Sequence, residues 1–251
     1  MLNFKEVNSL VKKGIVAATM AGDEIMKIYA AGDFSVEAKS DDSPLTIADK
    51  AAHNIIEKHL QTLGLPILSE EGRSIPFSER SQWTEFWMVD PLDGTKEFIK
   101  KNGEFTVNIA YIQNGKPLFG VVYAPVLDKL YYSNSQGAFC QHAGKTIQLE
   151  SKQKGEVNTI VASRSHLSSE TELFMKDYPN ANVVYMGSSL KFLLIAEQTA
   201  QIYPRFSPTM EWDTAAAHGV IHVLGYTIKT IEGEELMYNK ENLLNPFFVA
   251  Q

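Results

Sequence analysis

The chain has 251 residues, of which 44% are hydrophobic and 21% charged, a composition typical of a soluble globular protein with one or two domains. Its net charge of −7 argues against binding to a nucleic-acid polymer, and no apolar run approaches the ~20 residues that span a bilayer. Cys140 is the single cysteine, which excludes an internal disulfide; together with a polar, helix-like N-terminus it predicts a cytoplasmic location.

The first predicted element is a long helix. Apolar residues recur at helical spacing between Phe4 and Ile28 and predict one amphipathic helix. Gly22 is a predicted weak point within it, and we expect it to end before Gly32.

A second helix is predicted after a polar loop at residues 39–43, with Pro44 near its start. Thr46 and Asp49 stand at capping-box spacing, with aspartate in the usual glutamate position. An acidic residue in a first turn is favourable whatever the chemistry. These two residues therefore either only cap the helix or also take part in a reaction.

An acidic pair follows the next predicted strand, residues 65–69. Adjacent glutamates such as Glu70 and Glu71 are usually solvated, but at a strand end they are also candidate ligands for a cation. Residues 73–85 are predicted to form a polar, mobile loop.

The central motif begins after an apolar run, residues 86–89, which predicts the end of a buried strand. Pro91 and Gly94 favour a turn, so Asp90 and Asp93 can converge on one small volume. Two close carboxylates repel unless a cation or a proton lies between them, and Mg²⁺ prefers oxygen ligands. The alternative is an ordinary Asp-Pro-x-Asp-Gly surface turn.

Four β-rich segments separated by turn residues then predict an antiparallel meander: 105–112, 117–124, 130–133 and 138–141. Beyond Gly155 strands and helices alternate, which indicates a second, α/β lobe. We therefore expect an N-terminal lobe over residues 1–155 and a C-terminal lobe over residues 156–251.

The second half carries its own polar clusters. The segment 163–166 follows a predicted strand, and residues 187–191 open a helix whose N–H groups could receive an anion. Arg205 ends a short strand, and Asp213 precedes an alanine-rich helix, either as its N-cap or as a third carboxylate of a metal site. Each has an ordinary structural explanation, but together they predict a basic pocket opposite an acidic one. A metal-assisted phosphatase for a substrate with two anionic ends needs that arrangement.

The acidic motifs resemble those of the inositol monophosphatase superfamily: Asp90-Pro-Leu-Asp-Gly-Thr95, Glu70-Glu71 and Trp212-Asp-Thr-Ala-Ala216. Three longer stretches resemble its CysQ-type branch of 3'(2'),5'-bisphosphate nucleotidases: residues 90–98, 163–166 and 187–192. The resemblance keeps motif order from the first helix to the C-terminus. It implies a layered α-β-α-β-α sandwich and a lithium-sensitive phosphatase. That enzyme would hold two or three Mg²⁺ ions and remove the 3'-phosphate of adenosine 3',5'-bisphosphate in sulfur assimilation and nucleotide salvage.

The resemblance also implies residue roles. The metal ligands would be Glu70, Asp90, Asp93, Asp213 and the Leu92 carbonyl. Asp49 and Thr95 would activate the attacking water. The substrate would contact the metal-site residues Glu70, Leu92, Asp93, Gly94, Thr95 and Asp213, with His166, Ser188, Lys191 and Arg205 on the nucleotide side.

Three alternatives are weighed against this interpretation. Haloacid-dehalogenase-type phosphatases need two aspartates one residue apart, whereas Asp90 and Asp93 have two residues between them. An inositol or sugar-phosphate phosphatase of the same superfamily remains open. A non-catalytic nucleotide or metal sensor would have lost Asp49, Thr95 or a ligand, and none is lost. The predicted oligomeric state is either a monomer or a homodimer. The predicted cytoplasmic location includes peripheral association with the inner face of the membrane as an alternative.

Overall fold

A computed structural model of the chain describes residues 3–32, 34, 36–38, 44–153 and 155–251, so the loop predicted at residues 39–43 lies outside the described residues. The helices are α1 (Phe4–Ala31), α2 (Ile47–Leu60), α3 (Phe77–Arg80), α4 (Thr95–Ile99), α5 (Ser169–Met175), α6 (Leu190–Ala196) and α7 (Glu211–His222). The strands are β1 (Glu37–Ala38), β2 (Pro44–Leu45), β3 (Ile67–Ser69), β4 (Glu85–Asp93), β5 (Thr106–Gln113), β6 (Lys116–Ala124), β7 (Lys129–Asn134), β8 (Gly137–His142), β9 (Lys145–Gln148), β10 (Thr159–Ser163), β11 (Asn182–Met186), β12 (Tyr203–Arg205), β13 (Ile228–Thr230) and β14 (Phe248–Ala250). Of the described helices, none combines the length and hydrophobicity needed to cross a membrane.

Helix α1 is confirmed as one long amphipathic helix that ends at Ala31, with Gly32 as its C-cap, and it runs through Gly22 without interruption. A Cβ atom at Gly22 would lie 2.4 Å from the ring of Tyr123. Gly22 therefore does not loosen the helix as predicted; it lets the helix approach the sheet closely. Helix α2 begins with the predicted capping box of Thr46 and Asp49, whereas Pro44 lies in β2, ahead of the helix.

The predicted meander is confirmed within a seven-stranded sheet of order β3-β4-β5-β6-β7-β8-β9. β3 runs parallel to β4, and each later neighbour is antiparallel. Strand β9 was not predicted, because all its residues are exposed and no apolar alternation marks it.

Two apolar layers cover this sheet, as the alternation of side chains along β4 shows. Trp87 and Val89 pack in the cluster that contains α1 and α2, whereas Phe86 and Met88 pack in the cluster that contains α6 and α7. Period-two alternation places Asp90 on the α7 face, with Phe86 and Met88. Burial of apolar side chains on both faces therefore orients the first acidic residue of the central motif.

Helix α7 lies very close to the centre of the sheet. A Cβ atom at Gly120 of β6 would lie 1.8 Å from the carbonyl oxygen of Ala216, so only glycine permits this approach. The Ser133 hydroxyl accepts a hydrogen bond from the Gly120 N–H (3.1 Å) and donates one to the Gly219 carbonyl (2.7 Å). This contact fixes the helix that carries Asp213 over the sheet.

The second half confirms the predicted alternation of strands and helices. β10 and β11 pair in parallel, and β12, β14 and β13 form a three-stranded antiparallel sheet. β13 and β14 were not predicted; each is three residues long and too short for a periodic signal. Layers of helix and sheet alternate, as the resemblance implies.

Two local predictions are wrong. The predicted mobile loop 73–85 contains α3, and Arg80 at its end is 3% exposed. The Arg80 guanidinium donates to the Asn239 side chain (3.0 Å) and to the carbonyls of Lys240 and Glu241 (2.5 and 2.6 Å). The helix predicted from Thr214 begins three residues earlier, at Glu211.

Candidate active site

The central motif is a bulged strand and not a free turn. β4 continues to Asp93, and its register on β5 shifts between Asp90, opposite Asn108, and Asp93, opposite Thr106. Three residue steps on β4 therefore match two on β5. Residues three apart would ordinarily point to opposite faces, and the one-residue bulge restores both carboxylates to the same face.

Three carboxylates meet at this end of the sheet. Glu70 follows β3, Asp90 lies in the neighbouring strand β4, and Asp213 lies in the first turn of α7; one oxygen of each is within 4.8 Å of the others. Glu70 and Asp90 are neighbours because β3 and β4 are parallel and pair Ser69 with Val89. This grouping joins three residues that lie far apart in the sequence.

The electrostatics of this cluster favour a cation. Burial, followed by the negative charges of Asp93 and Glu70, raises the pKa of Asp213 well above its ordinary value. A carboxylate whose pKa is raised by neighbouring negative charges is stabilised in its ionised form by a bound positive ion. Because all the donors are oxygens, the site fits a hard divalent cation.

Two roles are predicted for Asp213, and the first of them, the N-cap of α7, is wrong. The N-cap is Met210, and the Asp213 Oδ2 atom accepts a hydrogen bond from the Met210 N–H at 2.9 Å, three residues back. Its carboxylate therefore both completes the helix cap and belongs to the acidic cluster.

Asp93 lies beside the cluster of three and faces a different set of donors. Its Oδ2 atom accepts hydrogen bonds from the Ser188 hydroxyl (2.7 Å), the Ser189 N–H (2.5 Å) and the Asn108 amide (3.3 Å). Burial raises its pKa, and Lys191 acts in the opposite direction. Asp93 therefore joins the acidic site to the loop that precedes α6.

Thr95 and Asp49 form a direct pair. The Thr95 hydroxyl donates to Asp49 Oδ1 at 3.1 Å and lies 3.3 Å from the Leu92 carbonyl oxygen. Asp49 Oδ2 accepts from the N–H and hydroxyl of Thr46, at 2.8 and 2.6 Å. Burial raises the pKa of Asp49. The residue thus caps α2 and also contacts the central motif, so the two predicted readings are compatible.

A cavity of about 400 Å³ is lined by acidic residues and by residues from both halves of the chain. Most of the predicted site residues line it: Glu70, Asp93, Gly94, Thr95, His166, Ser188, Lys191, Arg205 and Asp213. Asp49, Asp90 and Leu92 are at most 2% exposed and, among the described residues, are not part of its lining.

The cavity lining also contains the basic side chains of Lys191 and Arg205, together with His166. The Lys191 ammonium donates to the carbonyls of Ser188 and Met186, and burial together with the nearby Arg205 lowers its pKa to about 8. Arg205 donates to the carbonyls of Ser207 (3.2 Å) and Pro208 (2.8 Å). Burial, followed by the positive charges of Arg205 and Lys96, lowers the pKa of His166, which favours its neutral form.

The loop before α6 differs from the prediction. The Gly187 N–H donates to Glu104 Oε2 at 2.8 Å and the Ser189 N–H to Asp93, so protein carboxylates occupy the groups expected to receive an anion. On β5, the Thr106 hydroxyl lies 2.7 Å from that of Ser188 and 2.8 Å from that of Ser189.

Sequence reasoning missed Glu104, Thr106, Asn108 and Ser189. A usable signal existed for two of them. Thr106 and Asn108 are polar residues on alternate positions of a strand that is otherwise apolar and buried up to its last residue, Gln113. Such residues need buried hydrogen-bond partners, which the serines supply.

Comparison with known proteins agrees with this fold and site. Residues 7–246 match the inositol monophosphatase family, so the chain belongs to that family. It is 46% identical over 235 residues to the 3'(2'),5'-bisphosphate nucleotidase CysQ of Salmonella typhimurium, covering 92% of this chain and 95% of that one. Identity to the protein of the same name from Escherichia coli K12 is 45%, with the same coverage.

Solved structures extend the comparison. The crystal structure of CysQ from Bacteroides thetaiotaomicron, described as a bacterial member of the family, superposes with a TM-score of 0.88 at 42% identity and covers 97% of each chain. A Thermotoga maritima inositol monophosphatase shares the fold, with a TM-score of 0.76 at 20% identity; it covers 94% of this chain and 89% of that one.

Proposed function

We propose that the protein is a magnesium-dependent 3'(2'),5'-bisphosphate nucleotidase. With water, it converts adenosine 3',5'-bisphosphate to AMP and phosphate. The observation that carries this proposal is one cavity of about 400 Å³ whose lining combines the carboxylates of Glu70, Asp93 and Asp213 with the basic residues Lys191 and Arg205. A substrate with one phosphate at each end fits that distribution of charge. The named activity of relatives that match over most of the chain supports the same reaction.

The cations would be held by Glu70, Asp90, Asp93, Asp213 and the Leu92 carbonyl, and we propose two or three Mg²⁺ ions. When bound, such ions stabilise phosphoryl charge and lower the pKa of a bound water. The carboxylates of Glu70, Asp93 and Asp213 themselves hold negative charge at a fixed place on the cavity lining. The acidic cluster of Glu70, Asp90 and Asp213 is the observation that supports this assignment.

Thr95 and Asp49 take the proton of the attacking water. Because the Thr95 hydroxyl donates its hydrogen to Asp49 Oδ1, its oxygen can accept a hydrogen bond from water. The water proton then moves to the threonine oxygen as the threonine proton moves to Asp49. Burial raises the pKa of Asp49 and makes it a stronger base than an exposed aspartate.

The remaining phosphate and the adenosine lie against the second half, at His166, Ser188, Lys191 and Arg205. A phosphate monoester carries a charge of about −1.5 to −2, which two cations can balance. Arg205 uses two of its five donors on backbone carbonyls and also donates to the Tyr203 hydroxyl, which leaves part of its guanidinium for an anion. In this proposal residues 1–155 perform the chemistry, while residues 156–251 supply Asp213 and recognise the remote end.

The test measures phosphate release from adenosine 3',5'-bisphosphate, inositol 1-phosphate and fructose 1,6-bisphosphate side by side. Each substrate is assayed with Mg²⁺ and with excess chelator. We expect the highest kcat/KM for the adenosine substrate, and no turnover with chelator. Preference for inositol 1-phosphate or fructose 1,6-bisphosphate would replace this proposal with another phosphatase of the same family. No release from any substrate would indicate a non-catalytic binding protein.

A further inference from the structure

Glu104, between α4 and β5, makes an ion pair that joins the two halves of the chain. Its Oε1 accepts from Arg164 Nη2 at 2.7 Å and its Oε2 from Arg164 Nε at 2.9 Å. The same Oε2 accepts from the Gly187 N–H at 2.8 Å, and Arg164 Nη2 also donates to the Tyr185 carbonyl at 2.7 Å. The Glu104 side chain is 17% exposed and that of Arg164 is 47% exposed, so bulk water screens the pair mainly from the arginine side.

The groups that Glu104 holds belong to the two motifs of the nucleotide side. Arg164 lies two residues before His166, and Gly187 directly precedes Ser188. A Cβ atom at Gly187 would lie 2.8 Å from Glu97 Cγ and 3.1 Å from Glu104 Cβ. Because glycine has no Cβ atom, the loop packs directly against these side chains. Asp93 holds the other end of the loop through Ser188 and Ser189.

Glu104 and Arg164 do not themselves face the substrate. Both are described by the structure, and neither lines the cavity, although Ser163, Ser165, His166 and Gly187 do. Pairing with Arg164 also offsets the negative charge of Glu104, which would otherwise oppose a phosphate bound at the adjoining wall. The pair therefore acts on the site through the segments that it holds.

We propose that Glu104 and Arg164 are positioning residues that set the distance between the carboxylates and the segments that carry His166 and Ser188. This inference rests on the proposed function, in which the substrate has two phosphates at a fixed separation. A substrate with both phosphates requires that distance to be correct, whereas a substrate with only the reacting phosphate does not. The pair thus determines selectivity for the second anionic end and leaves the chemical step unchanged.

The experiment uses Glu104→Ala, Arg164→Ala, the double variant and Glu104→Gln in the full chain. The substrates are adenosine 3',5'-bisphosphate and adenosine 3'-monophosphate, which lacks only the 5'-phosphate. We expect each alanine variant to raise KM for the bisphosphate about tenfold, the effect of losing one charge-assisted contact. kcat for the bisphosphate, and kcat/KM for the monophosphate, should change less than twofold. Glu104→Gln should be intermediate, because its amide oxygen can still accept from the Gly187 N–H.

Two further measurements separate positioning from general stability. Calorimetric titration with AMP in the presence of chelator reports the remote end alone, and we expect the alanine variants to bind AMP about tenfold more weakly. The double variant should bind AMP about as weakly as Glu104→Ala alone, because removal of Glu104 already breaks both the pair with Arg164 and the contact with Gly187. Arg73→Ala is the matched control: Arg73 makes a two-point pair with Glu79 on the exposed surface, and its loss should change neither KM nor AMP binding.

An equal loss with both substrates, or additive single effects on KM, would overturn the inference. So would a lower melting temperature with unchanged KM and unchanged AMP affinity. If the alanine variants do not fold, Glu104→Gln and Arg164→Lys carry the same comparison. Failure of the wild-type protein to hydrolyse the bisphosphate would reject the proposed function. The AMP affinities of the single and double variants would still test the role of the pair.

Discussion

The pair of Thr95 and Asp49 supports a sharp prediction, because the chain offers a matched control. Asp49 accepts three hydrogen bonds: from the Thr46 N–H and hydroxyl at 2.8 and 2.6 Å, and from the Thr95 hydroxyl at 3.1 Å. Thr95→Ala and Thr46→Ala each remove one hydroxyl from the same carboxylate. Only Thr95 lines the cavity; Thr46 is 1% exposed.

Thr95→Ala should lower kcat by about 10²–10⁴, the range for a positioned proton transfer. Its stability cost should stay below ~1 kcal/mol, because the lost bond is the longest of the three and cavity water can replace it. Thr46→Ala should instead cost about 1–3 kcal/mol, because it leaves a buried carboxylate short of a donor at a helix cap. We expect Thr46→Ala to lower kcat by no more than about tenfold, well short of the Thr95→Ala loss.

Steady-state kinetics, urea denaturation and calorimetric titration with Mg²⁺ check these expectations. Both variants should keep the Mg²⁺ affinity of the wild type, since neither removes a metal ligand. Thr46→Ala should also move the acid limb of kcat/KM to higher pH, because a donor that lowers the pKa of Asp49 is gone. A collapse of Mg²⁺ affinity together with kcat in Thr95→Ala, or equal kinetic losses in both variants, would refute the proposed division of roles.

Three other predictions follow from the same structure. Asp93→Asn should nearly abolish Mg²⁺-dependent turnover with little change in melting temperature, because one charge at the cation site is lost; wild-type turnover would remove Asp93 from the site. Arg205→Ala should lower kcat/KM steeply for adenosine 3',5'-bisphosphate and much less for inositol 1-phosphate; equal falls would place Arg205 at the reacting phosphate or in the fold. Burial lowers the pKa of His218 to about 3 from 6.5, so only the unfolded chain takes up this proton as pH falls below 6.5. His218 should therefore lower the free energy of unfolding by roughly 2–3 kcal/mol between pH 6.5 and pH 4.5. Urea midpoints should fall less over this pH range in His218→Gln than in the wild type. An equal fall in both proteins would contradict this role of His218.

Local sequence patterns determine much of the secondary structure of this protein and identify its acidic residues. The 3.6-residue periodicity of α1 and the three-residue spacing of Thr46 and Asp49 each depend on neighbours within one or two helical turns. The meander was equally predictable, because β-forming runs alternate with glycine-containing turns. The acidic residues were also recognisable, since their motifs are short and contiguous.

Only the tertiary structure decided how these pieces meet. The bulge that turns Asp90 and Asp93 to one face depends on the register between β4 and β5, which neither strand specifies alone. Glu104 contacts Arg164 across 60 residues of chain, and Arg80 reaches a turn about 160 residues away. The sequence around a charged residue does not indicate a distant partner, because a charged side chain ordinarily prefers solvent. It needs a partner only when the packing of sheets and helices removes the water around it.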